Sequence, residues 1–125
     1  MDRRVVLTVI SLLALLLLTL HVTDDMVRGL DAPGPWNNIG IIVAGGLLYA
    51  MLVYRYRLIG RISIAFVGLF ALGMPLIHLR GTRIAEMVTG SGGFFFYWTL
   101  FVLGMLGTAT LALAIQEIVQ ARRKV

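Results

Sequence analysis

Four long apolar stretches constrain this chain more than any other feature of its sequence. A helix that crosses a bilayer needs about 20 mostly apolar residues, and four segments reach or approach that length, namely 5–23, 37–54, 62–79 and 94–115. No acidic or basic residue lies inside any of them, apart from histidines near the ends of the first and third. Because a backbone in lipid must satisfy its own hydrogen bonds, such stretches become helices. We therefore predict an all-α, polytopic membrane protein whose four transmembrane helices form one compact bundle, a single domain over 1–125.

The composition agrees with membrane insertion. Hydrophobic residues make up 59% of the chain and charged residues 14%, whereas soluble domains are roughly half apolar and about a quarter charged. The chain has no cysteine, which excludes disulfides, thiolate metal sites and covalent haem attachment. The net charge of +5 would also suit a nucleic-acid-binding protein. The bases, however, are scattered over the ends of the apolar stretches, so we predict no nucleic-acid partner.

The basic residues also indicate the orientation of the chain in the membrane. Eight of the eleven lie on the same side of the four stretches: Arg3, Arg4, Arg55, Arg57, Arg61, Arg122, Arg123 and Lys124. The positive-inside rule then places both termini in the cytoplasm, and the expected location is a bacterial cytoplasmic membrane. The first stretch has the charge pattern of a secretory signal, but it is long and lacks a small-residue cleavage site, which indicates an uncleaved helix.

Two short segments of the sequence resemble each other, LHVTDDMVRG (20–29) and IHLRGTRIAEMVTG (77–90). Each carries a histidine at the end of an odd-numbered stretch and ends in Met-Val-x-Gly. The similarity favours a tandem duplication of a two-helix hairpin, with a pseudo-two-fold axis along the membrane normal. A chance match of so short a pattern is the alternative. A duplication would place His21 and His78 at one depth, near the outer surface, on helices that can be neighbours.

Polar residues gather at the outer ends of the first and third stretches. His21, Asp24 and Asp25 share one helix face if the first helix continues past the lipid. Arg80 and Arg83 directly follow the third stretch. An ion pair between one of the aspartates and one of the arginines is therefore expected, and it would orient the helix ends more than stabilise them.

The favoured interpretation of this outer polar cluster is that it marks the place where the helices leave the lipid. A second interpretation is a ligand site, in which His21 and His78 bind a haem b or, together with the carboxylates, a divalent metal. A third is a pH-sensitive gate, since histidine titrates near neutral pH. The serines Ser11, Ser63 and Ser91 lack a partner motif for nucleophilic catalysis, so an enzyme is the less favoured class.

Small residues predict how closely the helices pack. Glycine and alanine recur in the second, third and fourth stretches, whereas the first stretch is nearly all leucine between Leu12 and Leu20. Small side chains let helix backbones approach each other. We therefore expect the last three helices to pack closely and the first helix to be the most peripheral.

The function that the sequence favours is that of an accessory or scaffolding subunit in a larger membrane complex, for example an energy-converting respiratory or photosynthetic one. Its partners would be the lipid bilayer and other integral membrane subunits. The wide apolar surface favours this function, as do the lack of a catalytic set and of charge within the spans. Two alternatives stay open. One is a haem- or metal-binding membrane protein that uses His21 and His78, and the other is a small channel or transporter.

Overall fold

The computed structural model describes residues 2–29, 34–79 and 91–123, and this part of the chain is helical apart from short connections, with no strand. The helices are α1 (Arg3–Val27), α2 (Pro35–Val53), α3 (Leu58–Leu79) and α4 (Ser91–Arg122). The predicted all-α fold with four helices is confirmed. Three helices, α1, α3 and α4, are long and apolar enough to cross a membrane, and α2 adds a shorter apolar segment over Ile39–Val53. These lengths are consistent with a membrane location.

Helix α1 extends beyond the stretch predicted for it, because its end signals lie outside the apolar run. At its start, the Asp2 side chain accepts a hydrogen bond from the Arg4 backbone N–H at 3.0 Å, as N-cap aspartates commonly do. At its end, Gly29 has a φ of 68°, a conformation that glycine adopts without a steric penalty. The polar residues from His21 onward therefore belong to the helix and do not end it.

Helices α3 and α4 are in backbone contact through two glycines. A Cβ atom built on Gly68 of α3 would lie 2.8 Å from the backbone nitrogen of Leu111, and one built on Gly107 of α4 would lie 2.8 Å from the carbonyl oxygen of Gly68. Both distances are too short for a real carbon atom. The small residues of these two helices thus mark a close helix–helix contact, as predicted.

The prediction that the first helix is the most peripheral is wrong, because α1 packs against both α3 and α4. One stripe of α1 is buried: Leu7, Ser11, Ala14, Leu15, His21 and Asp25. Leu13 and Leu16, on another face of the same helix, stay exposed. The leucine run therefore serves two faces of α1, one turned to the core and one to lipid. The buried stripe also contains small and polar residues, which the long run of leucines makes easy to overlook in the sequence.

Helix α2 is the more peripheral element. Met51 is its only buried residue among the side chains that the structure describes there. A Cβ atom added to Gly45 or Gly46 would have nothing within 4 Å. Gly45 and Gly46 therefore lie on an open face of α2, whereas Ala44 on the same helix packs against the core.

Candidate metal centre

Three helix ends meet at one end of the bundle, and each brings a ring to the same place. His21 comes from the last turns of α1, His78 from the last turn of α3 and Phe96 from the second turn of α4. The two imidazole ring centroids are 5.0 Å apart with an interplanar angle of 80°. Phe96 lies 5.0 Å from the ring of His21 and 5.2 Å from that of His78. The histidines of the two similar sequence segments are thus direct neighbours.

The cluster is buried, which differs from the interpretation of these residues as a helix leaving the lipid. His21 is 0% exposed and Asp25 5% exposed, whereas the His78 side chain keeps 16%. The physical reason is that α1 stays helical through Val27, so the i, i+4 spacing carries His21 and Asp25 on one inward face. Phe96 covers the two imidazoles from the side of α4.

Asp25 is the acidic member of the cluster. Its Oδ2 atom lies 3.4 Å from Nε2 of His78 and 3.8 Å from Nε2 of His21. The carboxylate thus faces the Nε2 atom of each ring. We refer to His21, Asp25 and His78 as the triad. One ligand atom from each triad residue can be chosen so that the three lie within 4.8 Å of one another.

Hydrogen bonds from the opposite ring nitrogens fix the tautomer of both histidines. Nδ1 of His78 lies 2.9 Å from the carbonyl oxygen of Met74, and a carbonyl only accepts, so this nitrogen carries the hydrogen. Nδ1 of His21 lies 3.1 Å from Oγ1 of Thr99. The Thr99 hydroxyl donates its one hydrogen to the carbonyl oxygen of Phe96 at 2.8 Å, so it accepts from His21. In each ring, therefore, Nδ1 carries a hydrogen and Nε2 is the nitrogen that faces Asp25.

The triad is consequently an assembly of electron-pair donors. Two Nε2 atoms and one carboxylate lie around a common centre, and among the described residues Nε2 of His21 has no hydrogen-bond partner. A positive charge between these groups, from a proton or a metal ion, would stabilise them in this buried place. Imidazole nitrogen and carboxylate oxygen are the ligands that divalent first-row metals take in proteins.

The neighbouring acid has a different role. Oδ2 of Asp24 lies 2.8 Å from Nε of Arg28, four residues further along α1. The guanidinium of Arg28 also donates to the carbonyl oxygen of Gly92 at the start of α4. Asp24 and Arg28 thus join the end of α1 to the start of α4 and take no part in the triad. Arg80 and Arg83, the expected partners of the aspartates, lie outside the described residues.

Sequence reasoning missed two residues of the centre, Thr99 and Phe96. Thr99 is fully buried in α4, and its hydroxyl contacts the ring of His21. The signal that could have found it is its position: it is a small hydroxyl residue near the start of the fourth stretch, at the depth where the first stretch carries His21. Phe96 lies in a run of aromatic residues at the start of the fourth stretch, a pattern typical of a membrane interface, and so its sequence position does not indicate a site.

Comparison with known proteins adds no assignment to this geometry. No protein-family model matches the chain. Neither a curated protein nor a solved structure matches it.

Proposed function

We propose that this chain is an integral membrane protein that binds a divalent transition-metal cation between α1 and α3. The ligands are the Nε2 atoms of His21 and His78 and the carboxylate of Asp25. The observation that supports the proposal is that one ligand atom from each of these three residues lies within 4.8 Å of the others inside the bundle. A cation of charge +2 at this centre would be attracted by the Asp25 carboxylate and bound by the two imidazole nitrogens.

The spacing of the ligand atoms suits a small ion. Metal–ligand bonds of about 2.1 Å with tetrahedral angles put ligand atoms about 3.4 Å apart. The contact between His78 and Asp25 already has that length, 3.4 Å, and the one between His21 and Asp25 is 3.8 Å. Small side-chain movements would therefore close the centre around an ion.

Two nitrogens and one carboxylate oxygen favour zinc or ferrous iron among the common divalent metals. Three protein ligands leave at least one coordination position for water or another molecule. The contacts of the other ring nitrogens agree with this role, because metal-binding histidines usually donate their second N–H to a carbonyl or hydroxyl oxygen. Met74 and Thr99 supply those oxygens here.

The geometry favours an ion over a haem for the same two histidines. Bis-histidine ligation places one imidazole on each face of a porphyrin. Here the two rings are in edge contact at 5.0 Å, and Phe96 packs on both. A haem would have to separate the rings and displace this phenylalanine, whereas an ion needs neither movement.

The ion would connect the end of α1 to the end of α3, at the end of the bundle opposite the chain termini. With the orientation that the basic residues favour, this is the outer side of the membrane. Because only the folded bundle brings the ligands together, the ion would stabilise the fold by mass action. Binding would therefore be visible both as heat and as a higher unfolding temperature.

The test uses the full chain in uncharged detergent micelles, stripped of metal with a chelator and titrated with Zn²⁺ in a calorimeter. We expect one Zn²⁺ per chain. Asp25→Asn keeps the shape of the side chain but removes its charge, and it should weaken binding at least tenfold. Asp24→Asn removes the adjacent charge and should leave the affinity unchanged, because Asp24 pairs with Arg28. Cobalt in place of zinc would report the nitrogen and oxygen ligands by its visible spectrum.

Two outcomes would contradict this proposal. One is the absence of stoichiometric binding, in which case a proton shared within the triad meets the electrostatic need instead. The other is an equal loss of affinity in the Asp24 and Asp25 variants, which would indicate loose attraction to acidic residues at the helix end.

A second candidate function is that of an accessory subunit in a larger membrane complex, which the open face of α2 favours. Gly45 and Gly46 have room for a close neighbour, and the helix is apolar and largely exposed over Ile39–Val53. In membranes, such a small-residue face suits a closely packed partner helix.

Mild extraction from the native host, followed by a native gel and mass spectrometry, tests whether the chain is such a subunit. A large band with stoichiometric partners supports a subunit, and a band of this chain alone contradicts it. The two functions are compatible.

A further inference from the structure

The opposite end of the bundle has a cavity that the metal centre does not involve. It measures about 310 Å³ and lies between the first turns of α1, the connection from α2 to α3, and the last turns of α4. This volume is within the range of sites for small organic ligands. The connection from α2 to α3 beside the cavity is tight. A Cβ atom on Gly60 would lie only 2.6 Å from the carbonyl carbon of Tyr54, so the glycine allows α3 to turn back directly under α2.

Three arginines (Arg4, Arg55 and Arg61) and two acids (Asp2 and Glu117) line the cavity, so the lining has an excess of positive charge. Arg4 lies 3.6 Å from Glu117, measured from Nε to Oε2. In the described part of the chain, no carboxylate forms an ion pair with Arg55 or Arg61. Tyr56 orients both of them. The Arg55 guanidinium lies 4.5 Å above the Tyr56 ring, and Arg61 donates to the Tyr56 carbonyl oxygen at 3.2 Å.

The wall of the cavity is amphipathic. Val5 and Val9 of α1 line it, and both are about half exposed, at 50% and 48%. Buried Leu7 and Ile64 form its apolar floor. A ligand that fits this surface carries a negative group for the guanidiniums and a hydrocarbon part for the valines. Planar guanidiniums that retain free N–H groups match the oxygens of a phosphate in particular.

We infer that this cavity binds the phosphate of an anionic phospholipid, with Arg55 and Arg61 as the phosphate ligands and an acyl chain along Val5 and Val9. The location suits a lipid, because the cavity lies at the end of three helices long enough to cross a membrane. Basic pockets between the ends of membrane helices are established binding places for anionic lipid head groups. The group that the arginines would recognise is a negatively charged phosphate. A soluble phosphate compound carries the same group as a phospholipid, so the test must distinguish the two.

The test measures binding of phosphatidylglycerol to the full chain in uncharged detergent micelles by native mass spectrometry, with phosphatidylcholine and inorganic phosphate as the other probes. The double variant Arg55→Gln/Arg61→Gln should bind phosphatidylglycerol at least tenfold more weakly than the unchanged chain. The control Arg57→Gln/Arg122→Gln removes the same charge from the same end of the bundle but touches no cavity wall, and it should bind as before. Thr8→Phe fills the cavity without a change in charge and should also weaken binding.

Preference for phosphatidylglycerol over phosphatidylcholine, lost in the first double variant and in Thr8→Phe but kept in the control, would support the lipid site. An equal loss in both double variants would overturn it, because the attraction would then depend on net charge alone. Displacement of the lipid by millimolar inorganic phosphate would overturn the lipid assignment in favour of a soluble phosphate compound. If Arg55→Gln/Arg61→Gln does not fold, as judged by its helical circular dichroism, Thr8→Phe decides the question.

Discussion

The substitution Thr99→Val tests whether a hydroxyl on α4 sets the ring of His21 for metal binding. Thr99 and Thr110 lie on the same helix, and both are 0% exposed. Valine has nearly the shape of threonine, so either substitution removes a hydroxyl and little else. The two sites differ in one respect. Thr99 accepts from His21 and donates to Phe96, whereas Oγ1 of Thr110 has no hydrogen-bond partner within the described residues.

The expected loss of stability follows from the polar group that each substitution leaves without a hydrogen-bond partner. In the Thr99→Val protein, the buried Nδ1–H of His21 loses its acceptor, and an unsatisfied buried donor costs about 1–3 kcal/mol. Hydrogen bonds between membrane helices lie at the lower end of this range, so we expect a loss of about 1–2 kcal/mol in the free energy of unfolding. Loss of such an outer-shell partner typically weakens metal binding about 10- to 100-fold. Thr110→Val leaves no group unsatisfied and should be neutral or slightly stabilising.

The assay is a denaturant titration of the chain in detergent micelles, followed by a Zn²⁺ titration of each folded variant. Thr99→Val should lower both stability and zinc affinity, and Thr110→Val should lower neither. Equal behaviour of the two variants would refute the assignment of the Thr99 hydroxyl as the acceptor for His21. A drop in stability with unchanged zinc affinity would show that the hydroxyl stabilises the fold but does not orient the ligand.

The remaining predictions concern helix packing. Gly107→Ala forces α4 away from the Gly68 carbonyl of α3 and should destabilise the bundle by about 1–3 kcal/mol in the same denaturant titration. The control Gly45→Ala meets nothing within 4 Å and should be neutral or slightly stabilising; a similar loss in both would contradict the close contact of α3 and α4. If a partner helix covers α2, Gly45→Leu should dissociate the native complex without lowering the stability of the isolated chain, and an intact complex would place the partner elsewhere.

Much of the fold is predictable, because the requirements of a membrane act on every residue of a span. Four apolar stretches correspond to four helices, although α2 is shorter in its apolar part than the others. Which helices pack closely together, and which one lies at the periphery, was not predictable. Small residues show where a close approach is possible, but they do not show which helix uses it. Gly68 and Gly45 are both glycines within apolar stretches rich in small residues. Of the two, only Gly68 lies in close contact with another helix.

The candidate centre was predictable only in part, for a related reason. The position of His21 and His78 at corresponding helix ends follows from the similarity of two sequence segments. The choice between Asp24 and Asp25 does not, since adjacent residues differ by about 100° around a helix and the helix rotation comes from packing. Thr99 lies far along the chain, and its hydroxyl matters only because α1 and α4 bring it beside His21 at 3.1 Å.

The contacts at the two ends of α1 have a consequence for how the bundle can deform. Near one end, Arg3 and Arg4 bind Gln116 and Glu117 of α4. At the other end, Arg28 binds the first turn of the same helix. These two attachments are about 38 Å apart along the axis of α1, and sliding by one helical turn, about 5.4 Å, would break both together. The contacts at the two ends of α1 thus oppose sliding of α1 along α4, and they do so at the surface, far from the buried packing that positions His21.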